Sequence, residues 1–175
     1  MRYLFSLLII VSIVSCSDMD RGKQLRKIQT IDNTLDSIQT VLIDNSDLEE
    51  IQFIQGCKKD LSSRILSSQD TISFELAIML DVYNNAMNNI NPLIIQRSVL
   101  DSNIIKQKED LLSLKLDIEN GSGKRNEYDE YINFESNKTE QLRNELITFI
   151  EMRNTLFEVQ AEFYQKIENQ FNKVQ

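Results

Sequence analysis

The 175-residue chain sets 19 Lys and Arg against 27 Asp and Glu, a formal net charge of −8, which excludes attraction of the whole body to nucleic acid or to anionic lipid headgroups as its working principle. It contains no histidine, so His-dependent triads, His-ligated zinc and iron sites and the imidazole pH switch are excluded as well. Its 41% hydrophobic residues and single proline are enough to fold one small domain rather than a disordered tail.

Residues 1–15 pair a basic start at Arg2 with an apolar run from Tyr3 to Val14. This is the layout of a secretory signal peptide, and the run is shorter than the ~20 residues a membrane-spanning helix needs. Ser15 stands before Cys16, and Ile13-Val14-Ser15-Cys16 resembles the lipobox of bacterial lipoproteins, with isoleucine where that family favours leucine. The resemblance implies cleavage before Cys16 and acylation of Cys16, with each buried methylene of the acyl chains contributing ~0.8 kcal/mol to anchoring. Ser17-Asp18-Met19-Asp20 resembles the export signal of surface lipoproteins of the Bacteroidota, which implies signal roles for Ser17, Asp18 and Asp20. An outer-membrane lipoprotein on the periplasmic or the cell-surface face is therefore expected. Residues 16–22 read as the lipidated cysteine and a short acidic tether, whose stretch from Ser17 to Gly22 spans at most ~20 Å when extended. Residues 23–175 form the helical bundle domain.

Beyond Lys23 the apolar residues recur at steps of three and four, with no strand-like alternation. The first segment, Lys23 to Ile43, carries Ile28, Ile31, Leu35, Ile38 and Leu42 as a heptad seam. Asp44-Asn45-Ser46 interrupts it, and Ser46 with Glu49 reads as a capping box opening the next helix. That second segment, Asp47 to about Ile90, places Ile51, Ile54, Leu61, Ile65, Ile72, Leu76, Met79, Tyr83, Ala86 and Ile90 on one stripe, with Lys58 and Ser68 in its gaps. Ser67-Ser68-Gln69-Asp70 is the place for a bend or break, which leaves one bent helix or two open.

Asn91-Pro92 closes the segment and suits the first turn of a new helix. The third segment bears Leu93, Leu100, Ile104, Leu111, Leu114 and Ile118, with Asp101-Ser102-Asn103 an alternative start. Asn120-Gly121-Ser122-Gly123 ends it in a turn that favours positive φ. The last segment, Asn126 to Asn172, shows a stripe from Leu142 through Phe149, Met152, Leu156, Val159, Phe163, Ile167 and Phe171 to Val174. The expected fold is all-α: an elongated antiparallel helical bundle, coiled-coil-like, of four or five helices.

Most of the candidate chemistry has a plain structural reading. Glu127, Asp129, Glu130 and Glu135 complement the macrodipole at the start of the last helix. Cys57, beside Gly56, reads as a small half-buried residue without a role. The amides Asn84, Asn85, Asn88, Asn89 and Asn91 read as a solvated helix end. Asp36-Ser37-Ile38 and Asp70-Thr71-Ile72 match the O-glycosylation pattern of exported Bacteroidota proteins at a frequency near chance. Phe157 and Tyr164, off the main stripe, are the candidate partner patch. The expectation is a non-enzymatic, lipid-anchored envelope protein acting through protein partners, as scaffold, adhesin or envelope-complex subunit. It carries no cofactor or metal, binds no nucleic acid, touches the membrane through its N-terminal lipid, and has seams compatible with oligomerisation. The alternative is a small-ligand binder or sensor whose lining would be Lys58, Ser68, Arg153 and Gln160.

Overall fold

Apolar residues at steps of three and four, with few residues that break a helix, leave the chain little choice but helix. The computed structural model describes the backbone of residues 2–67 and 72–174, and side chains over 20–66 and 72–172. It contains α1 (Arg2–Asp44), α2 (Leu48–Ser67), α3 (Phe74–Met87), α4 (Ile90–Asn120) and α5 (Tyr128–Val174), with a 3₁₀ turn at Arg125–Glu127 before α5. No strand occurs among the described residues, and the protein is an all-α helical bundle. The chain divides into two compact units, Met1–Thr40 with Asp101–Asn144, and Val41–Leu100 with Glu145–Gln175.

In the first unit, Ile28, Ile31, Leu35 and Ile38 of α1 are buried, as are Ile104, Leu111, Leu114 and Ile118 of α4 and Tyr128, Ile132 and Leu142 of α5. Each such leucine or isoleucine contributes about 1.5–3 kcal/mol by leaving water. α4 runs antiparallel to α1, since Lys108 Nζ donates to Asp36 Oδ1 and Gln39 Oε1 at 2.6 Å while Arg21 reaches the Glu119 carbonyl. It runs antiparallel to α5 as well, Lys138 meeting Asp110 and Tyr128 meeting Asp117. The turn between them has the predicted chemistry, with Gly121 at φ 65° and Gly123 at φ 76°. The Ser122 amide donates to the Asp117 carbonyl (2.8 Å) and the Gly121 amide to that of Ile118 (3.3 Å), the paired bonds of a Schellman helix end.

The second unit buries Leu42, then Ile51, Ile54, Cys57 and Leu61 of α2, Leu76, Leu80, Tyr83 and Met87 of α3, Ile90, Leu93 and Leu100 of α4, and Leu146, Phe149, Leu156, Ile167 and Phe171 of α5. Three expectations about the stripe need correction. Leu80 and Met87 are buried where Met79 and Ala86 were expected, and these two are half-buried. Cys57 occupies the gap assigned to Lys58 and is buried. Met152, Val159 and Phe163 are half-buried, because the seam of α5 turns gradually across its facing helices, as a period above 3.5 residues requires.

Helix ends differ from expectation too. α1 starts at Arg2, so residues 17–22 are helical rather than extended, the helix continuing through Gly22, and Asp20 pairs with Lys23 one turn on (3.6 Å). Ser46 does not cap α2, because its hydroxyl donates to the Leu42 carbonyl and accepts from Arg97 Nε (3.0 Å). The second segment is two helices: α2 ends at Ser67, and α3 is capped by Ser73, whose hydroxyl accepts from the Leu76 amide (3.2 Å). Residues 68–70 of the expected break lie outside the described residues. Asp101-Ser102-Asn103 lies within α4, which starts at Ile90.

Two glycines make opposite predictions. A Cβ at Gly56, exposed in α2, meets nothing within 4 Å, so Gly56→Ala is expected to raise the unfolding free energy by about 0.5–1 kcal/mol. At Gly121 a Cβ collides with the Arg125 guanidinium at positive φ, and Gly121→Ala is expected to lower it by more than ~1 kcal/mol. Urea unfolding of the two variants side by side checks both signs.

Candidate functional site

The turn from α4 to α5 packs beside α1 and leaves a depression of about 450 Å³, lined by Asp20, Arg21 and Gln24 of α1, Asn120, and Arg125, Asn126 and Asp129 near the start of α5. Its floor is made by Ile118 and Tyr128. The Tyr128 hydroxyl lies against the Asp117 (3.0 Å) and Ser122 carbonyls and locks the turn. Arg125 folds back so that its Nε donates to the Gly121 carbonyl (3.0 Å), and Arg21 Nη1 reaches that of Glu119 (3.4 Å). Both arginines therefore sit where the negative end of α4 emerges. Asp20 faces Lys23 at 3.6 Å and Asp129 faces Lys27 at 2.9 Å. The Lys27 hydrogen bond holds the Asp129 carboxyl below the ordinary aspartate range. Hydrogen bonds from Tyr131 and Lys124 do the same for Glu127.

A second polar cluster is buried in the first unit. Gln107 (2% exposed) fills the seam position between Ile104 and Leu111, and its Nε2 donates to the Glu135 carboxylate (2.7 Å) and backbone carbonyl (3.1 Å). Lys138 Nζ bridges Glu135 (3.1 Å) and Asp110 (2.9 Å). Burial works against the Lys138 ammonium, but the hydrogen bonds it donates to Asp110 and Glu135 outweigh it and raise its pKa. Glu135 is thus part of the core and not a solvent-facing complement to the helix dipole. Thr139 completes the layer, its hydroxyl donating to the Glu135 carbonyl (2.9 Å). A saturated polar layer of this kind penalises any slip of α4 against α5.

The expected ligand lining is used internally. Lys58 donates to the Met87 carbonyl (3.3 Å) and Asn88 Oδ1 (3.0 Å) and closes the end of α3. Gln160 accepts from the Tyr83 hydroxyl at 2.8 Å, and Tyr83 lies buried in the core, where burial raises its pKa. Arg153 pairs with Asp47, and its guanidinium carbon lies 4.3 Å from the centre of the Phe157 ring. Ser68 lies outside the described residues. Phe157 and Tyr164 are half-buried, Phe157 under Arg153 and Tyr164 with its ring 6.3 Å from that of Tyr83 and its hydroxyl on Glu168 (3.2 Å). They do not form an open apolar patch. Exposed apolar side chains occur on all five helices, among them Ile95, Val99 and Leu112 of α4 and, at steps of four along one side of α3, Phe74 (82% exposed), Ile78 (50%) and Val82 (39%).

Of the residues read from the N-terminus, Cys16, Ser17 and Asp18 lie on the backbone of α1, outside the described side chains, while Asp20 lines the depression. Asp36 of the first glycosylation match pairs with Lys108 at 2.6 Å, and Ile38 is buried. Arg125, Asn126, Gln107 and Asp110 carried no signal in the sequence, apart from the polar gap at 107 and the adjoining glycine turn. Among the described residues no helix is long and apolar enough to cross a membrane, and no group of three or more carboxylate or cysteine residues is arranged to hold a metal ion. No protein-family model matches the chain, and neither does any curated protein or solved structure compared with it.

The polar layer and the Lys27–Asp129 pair make separate predictions. Gln107→Leu, which strips a buried donor from Glu135, is expected to cost about 1–3 kcal/mol. Replacing both Gln107 and Glu135 by leucine is expected to recover most of that loss, and a double-mutant cycle by thermal unfolding checks it. Asp129 is more acidic folded than unfolded, so its contribution is full above the unfolded aspartate pKa and is lost as pH falls through the depressed folded value. Stability of Asp129→Asn should accordingly fall less steeply than wild type over that acid range, as followed by circular dichroism.

Proposed function

We propose that this protein is a non-enzymatic, lipid-anchored helical bundle of the bacterial cell envelope that works by binding other proteins, on the periplasmic or surface side of the outer membrane. The observation that carries the reading is the basic start and apolar run ending in Ile13-Val14-Ser15-Cys16. Acyl chains on Cys16 provide the attachment, and the bundle needs no spanning helix. Binding of protein partners is supported by α3, where Phe74, Ile78 and Val82 are exposed on the side opposite the buried Leu76, Leu80, Tyr83 and Met87, interleaved with the polar Glu75, Asp81 and Asn85.

The small-ligand alternative has less support, because Lys58, Arg153 and Gln160 are already bonded to groups of the protein itself. The anchor is tested in a bacterium that processes lipoproteins. Wild type should label with radioactive palmitate and sediment with membranes, and Cys16→Ser should lose the label and be released or left unprocessed. A Cys16→Ser chain that still labels and remains fully membrane-bound overturns the reading.

A further inference from the structure

We propose that the depression at the α4–α5 turn binds the phosphate of an anionic phospholipid headgroup in the membrane that holds Cys16, an inference that rests on the lipid anchor. Cys16 and Asp20 are four residues apart on α1, a rise of ~6 Å at ~1.5 Å per residue. Acyl chains buried in the leaflet hold the start of α1 at headgroup level, and Asp20, Arg21 and Gln24 carry the depression there with it.

Charge agrees with position. The chain as a whole is acidic at −8, yet Arg21, Lys23, Arg26 and Lys27 all fall between Asp20 and Lys27, which include one acidic residue. Both aspartates of the depression are met by lysines, Asp20 by Lys23 and Asp129 by Lys27. Arg125 uses Nε on the uncharged Gly121 carbonyl, so its charge is retained and its other donors form the planar fork that matches a phosphate. Asn120 and Asn126 line the same depression, and an asparagine amide is a neutral donor. Clusters of basic residues next to a membrane anchor attract anionic lipids by about 1 kcal/mol per charge, and Arg125 adds a shaped donor group to that attraction.

The full chain, extracted from membranes in a neutral detergent, is titrated with short-chain phosphatidylglycerol, with short-chain phosphatidylcholine and with inorganic phosphate, and bound species are counted by native mass spectrometry. Phosphatidylglycerol should saturate at one molecule and bind at least tenfold tighter than phosphatidylcholine. Arg125→Gln should lose that preference. Asn126→Asp, which places a negative charge at an exposed position and leaves the packing alone, should lose it too with an unchanged circular dichroism spectrum. Equal binding of both lipids, or a preference that survives both variants, overturns the proposal. Phosphate binding as tight as that of phosphatidylglycerol assigns a free-phosphate site and overturns the lipid source. Absence of acyl chains on Cys16 in the mass of the purified chain overturns the anchor, whereas lost lipid selectivity with the acyl chains present overturns the headgroup site alone.

Discussion

Burial of one apolar stripe per helix is the constraint on which this structure depends. Cys57, the cysteine whose side chain is described, is a free thiol, so a disulfide there contributes nothing to stability. The folding free energy comes instead from leucine, isoleucine and aromatic side chains leaving water at steps of three and four. Once each helix must present one stripe inward, the turns have narrow tasks. Gly121 and Gly123 reverse the chain at positive φ, Ser73 starts α3, and Lys58 closes its end.

Apolar burial alone tolerates sliding, because one leucine layer resembles the next. The layer of Gln107, Glu135, Lys138 and Thr139 does not. Its hydrogen bonds close only when α4 and α5 of the first unit stand in one register, and a displaced register would leave a carboxylate and an amide buried without partners. Polar seam positions in the second unit act similarly: Tyr83 on Gln160 ties α3 to α5, and Arg64 on Glu168 (3.1 Å) ties α2 to it. Residues that look like ligand lining along a seam are here the means by which the helices choose their partners.

The placement of charge gives the molecule a direction. Acidic residues dominate the whole, while residues 21–27 of α1, after the acidic stretch that follows Cys16, carry four basic residues, and Arg21 and Gln24 of that segment line the depression that Arg125 also lines. An acidic body repels an anionic surface and a basic first stretch is drawn to it. The exposed apolar face of α3 belongs to the other compact unit.

By itself, the sequence determined the helical class, the buried seams of α1 and α4 and the glycine turn, because each is a local pattern of spacing or residue type. The burial of Ile28 through Leu42 and of Leu93 through Ile118 follows from a period that a single helix imposes. Tertiary structure decided the rest. Whether Lys58, Arg153 and Gln160 face a ligand or a neighbouring helix depends on which helix lies opposite, and no spacing within one helix carries that. Leu80 rather than Met79, and Met87 rather than Ala86, turned inward because α3 is a separate helix with its own cap at Ser73, free to rotate relative to the stripe extrapolated from α2. The depression joins residues about a hundred positions apart in the chain, and only the packing of α1 against the α4–α5 turn brings their charges together.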